Sequence, residues 1–388
     1  MKYKSLGILG STGSIGVQTL SLIKKEKSQI RLIFISCNKN IGLLKRQVQL
    51  YQPKYILIKN TAAYLKFLNK NQNLKFRIFN DLNKLVKKIN GKIDFCISSI
   101  AGNDGFISTI TISKVSRNLL IANKESIVLG NKILIKELKK NKCKLIPIDS
   151  EHFSIFSILD NNPNFKKNIK KIFLTASGGP FFNKKIKYKK VSVKQALKHP
   201  NWSMGKKISI DSATLANKVL EYFEALIIFN LRPEDVAIRI EPSSRIHAIL
   251  LLKSGFYYFI AHNNSMKIPI SHALNMSDTK FLNKKIFLDN SVFQFFKPDD
   301  KKFKLLKIAK NIAKLGHGAM IFFSIINERL VYKFLKKEIT FDKISLILVQ
   351  LFKNKKFISL CKTYIRSKKD ILKAVETAKN YNLNINNE

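Results

Sequence analysis

The stretch Leu6-Gly-Ile-Leu-Gly-Ser-Thr-Gly-Ser-Ile-Gly16 decides the fold class of this chain. Its first four residues predict a short buried strand, and a helical pattern follows from Val17 to about Lys25. The glycines, spaced as Gly10-x-x-Gly13-x-x-Gly16, permit a tight turn and let backbone N–H groups approach a pyrophosphate at a helix N-terminus. The spacing differs from the commoner Gly-x-Gly-x-x-Gly, and a glycine-rich turn without a ligand is the alternative. Its position between a strand and a helix favours a nucleotide.

Strands and helices alternate along the next part of the chain. Further buried strands are predicted at Ile30–Ser36, Tyr55–Ile58, Asp94–Ser99, Asn118–Ala122 and Lys144–Ile148. Strands separated by helical segments at this spacing predict an α/β fold with a parallel, doubly wound sheet. Residues 1–148 are therefore predicted to form a Rossmann-like nucleotide-binding domain.

The residues at the end of the second strand indicate which nucleotide binds. A carboxylate there would bind the ribose diol of NAD, but this chain has Cys37-Asn38-Lys39-Asn40. A lysine suits the 2′-phosphate of NADP instead. We therefore expect NADPH as the cofactor, with Asn38, Lys39 and Asn40 beside its 2′-phosphate.

The pattern changes after residue 148. From 149 to 274, strands mix with helices and predict a central mixed α/β catalytic domain; these strands are Lys171–Leu174, Val236–Ile240, Arg245–Leu252 and Tyr257–Ala261. Residues 275–300 have weak periodicity, which is typical of a linker. From Phe303 onward apolar residues recur at helical spacing, which predicts a C-terminal α-helical bundle over 301–388.

The chain is strongly basic. It has 71 Lys and Arg against 25 Asp and Glu, a formal net charge of +46. Such a charge is typical of proteins that bind nucleic acid or anionic membranes. Nucleic-acid binding demands focused basic patches, whereas these lysines are scattered along nearly every segment. We therefore interpret the charge as compositional drift and expect neither a nucleic-acid nor a membrane partner, although the charge should attract phosphorylated substrates.

The cysteines and the N-terminus bear on the compartment. Cys37, Cys96, Cys143 and Cys361 form no Cys-x-x-Cys pair, and their spacing suits neither zinc nor a disulfide framework. A reducing cytoplasm is the expected compartment. The N-terminus runs directly into the first predicted strand, which leaves no room for a signal peptide, and no apolar run approaches about 18 residues. A membrane-spanning helix is not expected.

Acidic residues after the strand Lys144–Ile148 suggest a metal site. The segment Asp149-Ser-Glu-His152 lies where open α/β sheets place ligands, and its two carboxylates can share Mg²⁺ or Mn²⁺. Glu221 and Glu224 lie three residues apart on one face of a predicted helix, so Glu221 could complete a three-carboxylate site. A solvated turn with a helix cap is the alternative.

Two further segments combine donors that suit a phosphate. Thr175-Ala-Ser-Gly-Gly-Pro-Phe181 follows a strand and exposes backbone donors, with a plain turn as the alternative. Within His199–Glu221, a hydroxyl, an amide and an ammonium are supplied by Ser212, Asn217 and Lys218. Trp202, the only tryptophan, lies in a polar stretch flanked by proline and glycine. That setting fits a lid over a substrate, although tryptophan is more often a core residue.

In their order and spacing, these motifs closely resemble the 1-deoxy-D-xylulose 5-phosphate reductoisomerase family over most of the chain. The matching segments are Gly10–Gly16, Ala122–Ser126, Pro147–His152, Ser177–Phe181 and His199–Glu221, with weaker similarity at Asn327-Glu328. The resemblance implies an NADPH-dependent oxidoreductase that also needs a divalent metal, Mg²⁺, Mn²⁺ or Co²⁺. It would rearrange and reduce 1-deoxy-D-xylulose 5-phosphate to 2-C-methyl-D-erythritol 4-phosphate, on the methylerythritol phosphate route to isoprenoids. It also implies a homodimer formed through the central domain.

The resemblance further implies a role for each candidate site residue. The metal ligands would be Asp149, Glu151 and Glu221, which with Lys124 form the catalytic set. The substrate-binding residues would be Lys124, Ser150, Glu151, Ser177, His199, Trp202, Ser212, Asn217, Lys218 and Glu221. The cofactor-binding residues would be Thr12, Gly13, Ser14, Ile15, Asn38, Lys39, Asn40, Asn123, Glu125 and Gly205. Residues 199–206 would form a flexible lid.

Three positions depart from the family pattern. Glu241 stands where the family usually has a histidine followed by Pro-Gln-Ser, and Val219 and Phe153 replace a usual glycine and asparagine. None removes an implied metal or phosphate ligand, so these departures bear on fine geometry and turnover rather than on the reaction class.

Two alternatives from other functional classes stay open. One is a basic nucleic-acid-binding protein on an α/β scaffold, against which the diffuse lysine distribution argues. The other is a catalytically degenerate member of the same fold, against which the intact Lys124, Asp149, Glu151 and Glu221 argue.

Overall fold

The computed structural model describes residues 3–25, 30–71, 76–202, 204–276 and 292–383. The chain forms two compact units, each assembled from separate pieces of the sequence. The first unit comprises Met1–Ser126, Leu134–Pro163 and His262–Ser291, and the second comprises Ile127–Ile133, Asn164–Ala261 and Val292–Glu388. The domain boundaries expected after residues 148, 274 and 300 stay predictions.

The secondary structure alternates between strands and helices in the first part of the chain and is helical at its end. The strands are β1 (Lys4–Leu9), β2 (Ile30–Cys37), β3 (Tyr55–Ile58), β4 (Arg77–Phe79), β5 (Ile93–Ser98), β6 (Ser116–Ile121), β7 (Lys144–Pro147), β8 (Ile169–Ala176), β9 (Val236–Ile240), β10 (Ile246–Leu252) and β11 (Tyr257–Ala261). The helices are α1 (Ser14–Lys25), α2 (Ile41–Tyr51), α3 (Thr61–Asn69), α4 (Leu82–Lys88), α5 (Gly105–Ser113), α6 (Lys124–Lys140), α7 (Ser150–Asn161), α8 (Pro163–Asn168), α9 (Val193–Ala196), α10 (Lys206–Thr214), α11 (Ala216–Ile228), α12 (Lys267–Ala273), α13 (Lys304–Leu315), α14 (His317–Leu335), α15 (Phe341–Leu351), α16 (Lys355–Cys361) and α17 (Lys368–Asn380).

The first sheet has the strand order β4-β3-β2-β1-β5-β6-β7, and all its neighbouring pairs are parallel. The order changes direction beside β1, so the carboxyl end of β1 lies at the switch point where doubly wound sheets bind ligands. The predicted doubly wound parallel sheet is confirmed. The strand β4 was not predicted, because its three residues are exposed or half-buried and form no buried apolar run.

The core of the first unit explains the apolar strands. Ile8, Ile35 and Ile97 are fully buried, as parallel strands covered by helices require. Ile270 and Leu274 join the same hydrophobic cluster. The helix α12 therefore belongs to the first unit, although it follows the strands of the second sheet along the chain.

The second sheet is mixed and has the order β11-β10-β8-β9. β8 and β9 are parallel, whereas β10 is antiparallel to both β8 and β11. Phe296 extends the sheet, since it exchanges two backbone hydrogen bonds of 2.8 and 2.9 Å with Ile240. The predicted mixed α/β region is confirmed, and β11 forms one edge of the sheet.

The helices α13 to α17 confirm the predicted helical C-terminal region. The long helix α14 is mostly buried, and Phe323 on it packs edge-on against Phe223 of α11 with ring centroids 5.7 Å apart. Of the expected linker 275–300, residues 277–291 lie outside the described residues. Among the helices that the structure describes, none combines the length and apolarity needed to cross a bilayer.

Candidate active site

The loop between β1 and α1 requires glycine at two positions. Gly10 has a φ of +86°, and a Cβ there would lie 2.8 Å from the carbonyl oxygen of Ser99. A Cβ on Gly16 would lie 2.4 Å from the Cα of Ser11. Gln47 fixes the loop, because its Oε1 accepts from the Ser11 hydroxyl and its Nε2 donates to the Ser11 carbonyl, both at 2.8 Å. The loop is therefore a rigid cradle that a side chain would block.

The residues predicted to hold the pyrophosphate stand at the start of α1. Gly13 and Ser14 are exposed, and Thr12 and Ile15 are half-buried. The helix has 12 residues and no acidic residue in its first turn. Its first backbone N–H groups have no partner within the helix, and the helix dipole adds positive charge there. The arrangement fits a phosphate group.

Asn38, Lys39 and Asn40 follow β2 directly and are exposed. β1 and β2 are parallel neighbours, so their carboxyl ends lie at the same edge of the sheet. Asn40 also caps α2, since its side chain accepts the N–H of Leu43 at 3.2 Å. The structure thus places Lys39 at the same sheet edge as the glycine loop, whereas Asn40 has a structural role as the cap of α2.

Asn123 is committed to local structure. Its Oδ1 accepts the N–H of Ser126 at 2.6 Å, which caps α6, and its Nδ2 donates to the carbonyls of Gly102, at 2.7 Å, and Ile100. The amide therefore ties the loop after β5 to the start of α6. Glu125 is buried in the first turn of that helix, where the helix dipole favours a carboxylate.

Lys124, Asp149 and His152 form a charged cluster in the first unit, at the ends of β6 and β7. Lys124 Nζ lies 2.8 Å from Asp149 Oδ2, and His152 Nδ1 lies 3.1 Å from Asp149 Oδ1. Burial alone would raise the pKa of Asp149, but Lys124 and His152 together hold that pKa well below its usual range. Asp149 is therefore ionised at neutral pH, as a metal ligand must be.

Ser150 and Glu151 begin α7 beside this cluster. Ser150 is buried, Glu151 is half-buried, and the Ser150 hydroxyl donates to Glu151 Oε2. The charge cluster and Glu151 follow adjacent parallel strands, which is why residues far apart in sequence meet at one sheet edge.

In the second unit, Ser177 and His199 form a hydrogen-bonded pair. His199 Nδ1 accepts the backbone N–H groups of Asn201, at 3.1 Å, and Trp202, at 3.0 Å. The proton is therefore assigned to Nε2, which donates to Ser177 Oγ at 3.1 Å. The same Oγ accepts the N–H of Gly179 at 3.1 Å. Because both lone pairs of Ser177 are used, its own hydroxyl proton is available to an oxyanion.

Burial sets the charge of His199. Burial lowers its pKa to about 4, since the desolvated imidazolium is disfavoured. At neutral pH His199 is therefore a neutral donor through Nε2, which agrees with its hydrogen bonds.

The helices α10 and α11 carry three of the predicted phosphate-binding residues. Ser212 is buried near the end of α10, and Leu215, with a φ of +58°, turns the chain into α11. On α11, Lys218 pairs with Glu221 Oε2 and the amide of Asn217 donates to Glu221 Oε1. These contacts fix the orientation of the Glu221 carboxylate.

The structure describes all residues of the expected lid, 199–206, except Ser203. Trp202 is half-buried and lies edge-on to His247, with ring centroids 6.3 Å apart. Gly205 is the exposed residue that precedes α10, and a Cβ there would meet nothing within 4 Å. Ser203 lies outside the described residues. A residue with a side chain would therefore fit at this position, and no contact in the structure demands glycine there.

Several residues of this region were missed by sequence reasoning. Asp211, in α10, is buried, pairs with Lys207 at 2.8 Å and accepts from the amide of Asn327 at 2.8 Å. Asn201 and Glu241 brace the segment around His199. The carboxylate directly before Ser212 was the available signal for Asp211. Glu241 was noted in the sequence only as a departure from the family pattern, and the contacts of Asn201 with Pro242 and Ser244 depend on a turn that the sequence does not reveal.

Two of the departures from the family pattern are apolar core residues. Val219 is fully buried in α11, and Phe153 packs in the first unit against Phe156 and His272, each with a centroid distance of 6.4 Å. Neither removes a polar group from the contacts described above.

The donor chemistry suits a hard divalent cation. Asp149, Glu151 and Glu221 offer carboxylate oxygens, the ligands that Mg²⁺ and Mn²⁺ prefer. The four cysteines are buried free thiols and lie outside these contacts. The residues present therefore fit the expected metal, and the glycine cradle fits the expected nucleotide.

Three family models match the chain. The 1-deoxy-D-xylulose 5-phosphate reductoisomerase model matches residues 6–131. The model of the 1-deoxy-D-xylulose 5-phosphate reductoisomerase C-terminal domain matches residues 145–229, and that of the DXP reductoisomerase C-terminal domain matches residues 262–381.

Curated relatives and solved structures agree with these matches. The 1-deoxy-D-xylulose 5-phosphate reductoisomerase of Pelagibacter ubique is 40% identical over 362 residues, covering 91% of this chain and 92% of the relative. That of Buchnera aphidicola is 38% identical over 372 residues, with the same coverage. A crystal structure of DOX-P reductoisomerase in complex with NADPH, fosmidomycin and magnesium has a TM-score of 0.90 at 32% identity and covers 97% of this chain and 96% of that one. The Zymomonas mobilis enzyme in complex with NADPH has a TM-score of 0.86 at 26% identity, with 97% of each chain covered.

Proposed function

Because the chain belongs to the 1-deoxy-D-xylulose 5-phosphate reductoisomerase family, we propose that it converts 1-deoxy-D-xylulose 5-phosphate to 2-C-methyl-D-erythritol 4-phosphate, a step towards isoprenoid precursors. The chain is an NADP-dependent oxidoreductase. The observation that carries the proposal is the cluster of Lys124, Asp149 and His152, in which the half-buried Asp149 carboxylate lies between a buried ammonium and a buried imidazole. It keeps an ammonium and an ionised carboxylate together at the ligand-binding edge of the first sheet. Removing these charges from water costs free energy, so a core with a structural role alone would use apolar residues instead.

We propose Asp149, Glu151 and Glu221 as the ligands of the divalent metal. When bound, the metal would stabilise negative charge on adjacent oxygens of the ketose while its carbon skeleton rearranges. His152 orients one oxygen of Asp149, and Ser150 donates to Glu151. In the same way, Asn217 and Lys218 hold Glu221. Such bonds keep carboxylates deprotonated and correctly turned for a cation.

Lys124 is proposed to act at the reacting oxygens of the substrate. Its ammonium can stabilise an oxygen that gains charge or move a proton at that oxygen. The ion pair with Asp149 holds it at the carboxyl end of β6 and β7 before substrate binds. Preorganised charge of this kind lowers the reorganisation needed in the transition state.

The substrate phosphate is proposed to bind in the second unit at Ser177, His199, Ser212, Asn217 and Lys218. Ser177 has its hydroxyl proton available, because both its lone pairs accept hydrogen bonds. Lys218 supplies a buried positive charge. Remote binding energy at the phosphate can orient the carbons that react.

NADPH is proposed to bind along the carboxyl edge of the first sheet. The pyrophosphate of NADPH would lie at the N-terminus of α1, on Thr12, Gly13, Ser14 and Ile15. The 2′-phosphate of NADPH would lie beside Asn38, Lys39 and Asn40. The glycine cradle and the exposed Lys39 support this orientation. The nicotinamide would then extend towards Asn123, Glu125 and Gly205, near the carbonyl carbon that receives the hydride.

The segment 199–206 is proposed as a lid in which Trp202 covers the substrate. Closure would exclude water from reactive fragments of the rearrangement. Support comes from the half-buried indole of Trp202 and from the position of the segment directly before α10.

We also propose a homodimer formed through β11. This edge strand exposes Tyr257 and Phe259 on one face, with rings stacked 6.3 Å apart, and Phe256 before it is exposed as well. An exposed aromatic edge strand is a template for pairing with a second strand. A second copy of the chain would cover it by the same surface on both subunits.

A reducing compartment, the cytoplasm, is part of the proposal. Burial raises the pKa of Cys37, Cys96, Cys143 and Cys361 to about 12 in each case, so the thiols stay protonated. Buried thiols of this kind need no oxidising environment to fulfil a packing role.

The test is NADPH oxidation, followed by absorbance, with purified protein, 1-deoxy-D-xylulose 5-phosphate and Mg²⁺ or Mn²⁺. We expect oxidation that requires the sugar phosphate, stops with a chelator and returns with added metal. Folded protein that binds NADPH but oxidises none would contradict the proposal and favour the degenerate scaffold.

A further inference from the structure

The turn between β9 and β10 is built around a buried carboxylate. Glu241 is 1% exposed, and its two oxygens accept the backbone N–H groups of Ser243 at 2.9 Å, Arg245 at 3.0 Å and Ile246 at 3.3 Å. Ser244 in this turn has a φ of +57°, a left-handed conformation that is strained for serine. Three converging N–H donors over-determine the turn and hold that conformation.

The turn between β9 and β10 also binds the segment that carries His199 and Trp202. The amide of Asn201 donates to the carbonyl of Pro242 at 2.7 Å and to the hydroxyl of Ser244 at 2.9 Å. The position of that hydroxyl depends on the left-handed φ of Ser244. Asn201 is therefore docked on a surface whose shape the Glu241 carboxylate maintains.

Docking of Asn201 fixes His199 as well. The backbone N–H groups of Asn201 and Trp202 both donate to His199 Nδ1, which leaves Nε2 to donate to Ser177. The turn is linked to the imidazole by hydrogen bonds, because the N–H of Ser244 donates to the backbone carbonyl of Glu241 at 3.1 Å and the Ser244 hydroxyl accepts from Asn201. All these residues belong to the second unit.

We propose that Glu241 is a positioning residue that holds the His199–Trp202 segment in its substrate-binding arrangement. The inference rests on the proposed function, in which His199 and Ser177 bind the substrate phosphate. A carboxylate is needed because it only accepts hydrogen bonds, whereas a glutamine would place an N–H donor against backbone N–H groups. An imidazole, which has at most one acceptor nitrogen, could not accept three such bonds.

The first experiment uses Trp202, the only tryptophan, as a probe that needs no catalysis. Acrylamide quenching of its fluorescence is compared in wild type, Glu241→Gln, Asn201→Ala and the double variant. We expect about twofold stronger quenching in each single variant and no further rise in the double variant, because the two residues act along one path. Effects that multiply, or quenching unchanged in Glu241→Gln, would overturn the proposal.

The second experiment measures steady-state kinetics. Glu241→Gln should raise KM for the sugar phosphate about tenfold and change kcat less than about twofold. Glu241→Asp keeps the carboxylate on a shorter side chain, so its KM should fall between those of Glu241→Gln and wild type. If Glu241→Gln does not fold, Glu241→Asp takes its place in the comparison. A loss confined to kcat would assign Glu241 a different role. Inactive wild type with the expected quenching pattern would defeat the proposed function but not the positioning role.

The matched control is Asp235→Asn. Asp235 braces the turn at the opposite end of β9, where its carboxylate accepts the N–H of Arg232 at 3.1 Å. Quenching and KM should equal those of wild type in this variant. If Asp235→Asn and Glu241→Gln change both quantities equally, general loosening of the sheet explains the effect, and the proposal is wrong.

Discussion

Glu221 gives the sharpest test of the metal assignment at the scale of single residues. Glu221→Gln keeps the size of the side chain and its contacts with Asn217 but removes the negative charge. We expect kcat to fall at least about 100-fold, because the charge that holds the cation beside the developing oxyanion is lost. Mn²⁺ affinity, measured by titration, should fall at least about tenfold. Glu376→Gln, an exposed change on α17, is the control, and a Glu221→Gln variant with normal turnover would refute the assignment.

His199 predicts a specific acid sensitivity. Its pKa is lowered from 6.5 to about 4 by burial, so the folded protein binds this proton less readily than the unfolded chain does. The stability attached to neutral His199 is fully present above pH 6.5 and is lost as the pH falls towards 4. In His199→Gln, thermal unfolding should depend less steeply on pH in this range. The exposed His272→Gln is the control, and equal slopes in wild type and His199→Gln would contradict the assignment.

The sequence singles out the residues that we propose to carry chemistry more readily than the residues that orient them. Asp149 and Glu221 stand out because carboxylates beside apolar segments need a reason to be there. His152 was visible next to Asp149, but its hydrogen bond depends on the start of α7. Asn201 was missed, and the role of Glu241 was not foreseen, because the positions of their partners follow from the turn and not from the residue types.

Among the elements, α10 depends on a buried charge cluster. Asp211 is held by Lys207 and by Asn327 of α14, and Ser212 follows it in the helix. Asn327→Ala should destabilise the fold by about 1–3 kcal/mol, because Asp211 loses a buried hydrogen bond. It should also raise KM for the sugar phosphate, since Ser212 loses its support. Chemical denaturation and kinetics measure both effects, and unchanged stability would show that water or Lys207 satisfies Asp211 without Asn327.

Element boundaries followed from the sequence where apolar periodicity marks them. β3 and β9 have the predicted bounds, whereas α1 begins at Ser14, three residues before the prediction, because its first turn is polar and glycine-rich. The break in α6 was not foreseen. Asn131 has a φ of +44° there, and nothing in the alternation of apolar residues distinguishes that position from a continuous helix.

At the scale of the whole molecule, the proposed dimer has a direct test. Phe259→Glu places a charge in the middle of the exposed face of β11, so association through this strand should weaken strongly. Light scattering after size-exclusion chromatography should give a dimer for wild type and a monomer for Phe259→Glu. Lys373→Glu, which introduces the same glutamate at an exposed position on α17, is the control. A wild-type monomer, or a dimer that survives Phe259→Glu, would contradict the proposed surface.

The whole-molecule properties were only partly contained in the sequence. The α/β class and the nucleotide-binding, mixed and helical regions follow from the alternation of strands with helices, from their later mixing, and from apolar residues at helical spacing near the end. The assembly of each unit from separate pieces does not, because α12 joins the first unit through Ile270 and Leu274, whose partners lie far away in the chain. The charge of +46 indicates an affinity for anions but does not define a site.

The proposed reaction requires that the chain rearranges a carbon skeleton before reducing it. NMR of the product formed from isotope-labelled 1-deoxy-D-xylulose 5-phosphate, NADPH and Mg²⁺ distinguishes this from simple reduction. We expect a branched product, 2-C-methyl-D-erythritol 4-phosphate, in an amount equal to the NADPH consumed. A reduced sugar phosphate with an unbranched carbon chain would show simple carbonyl reduction and contradict the proposed function.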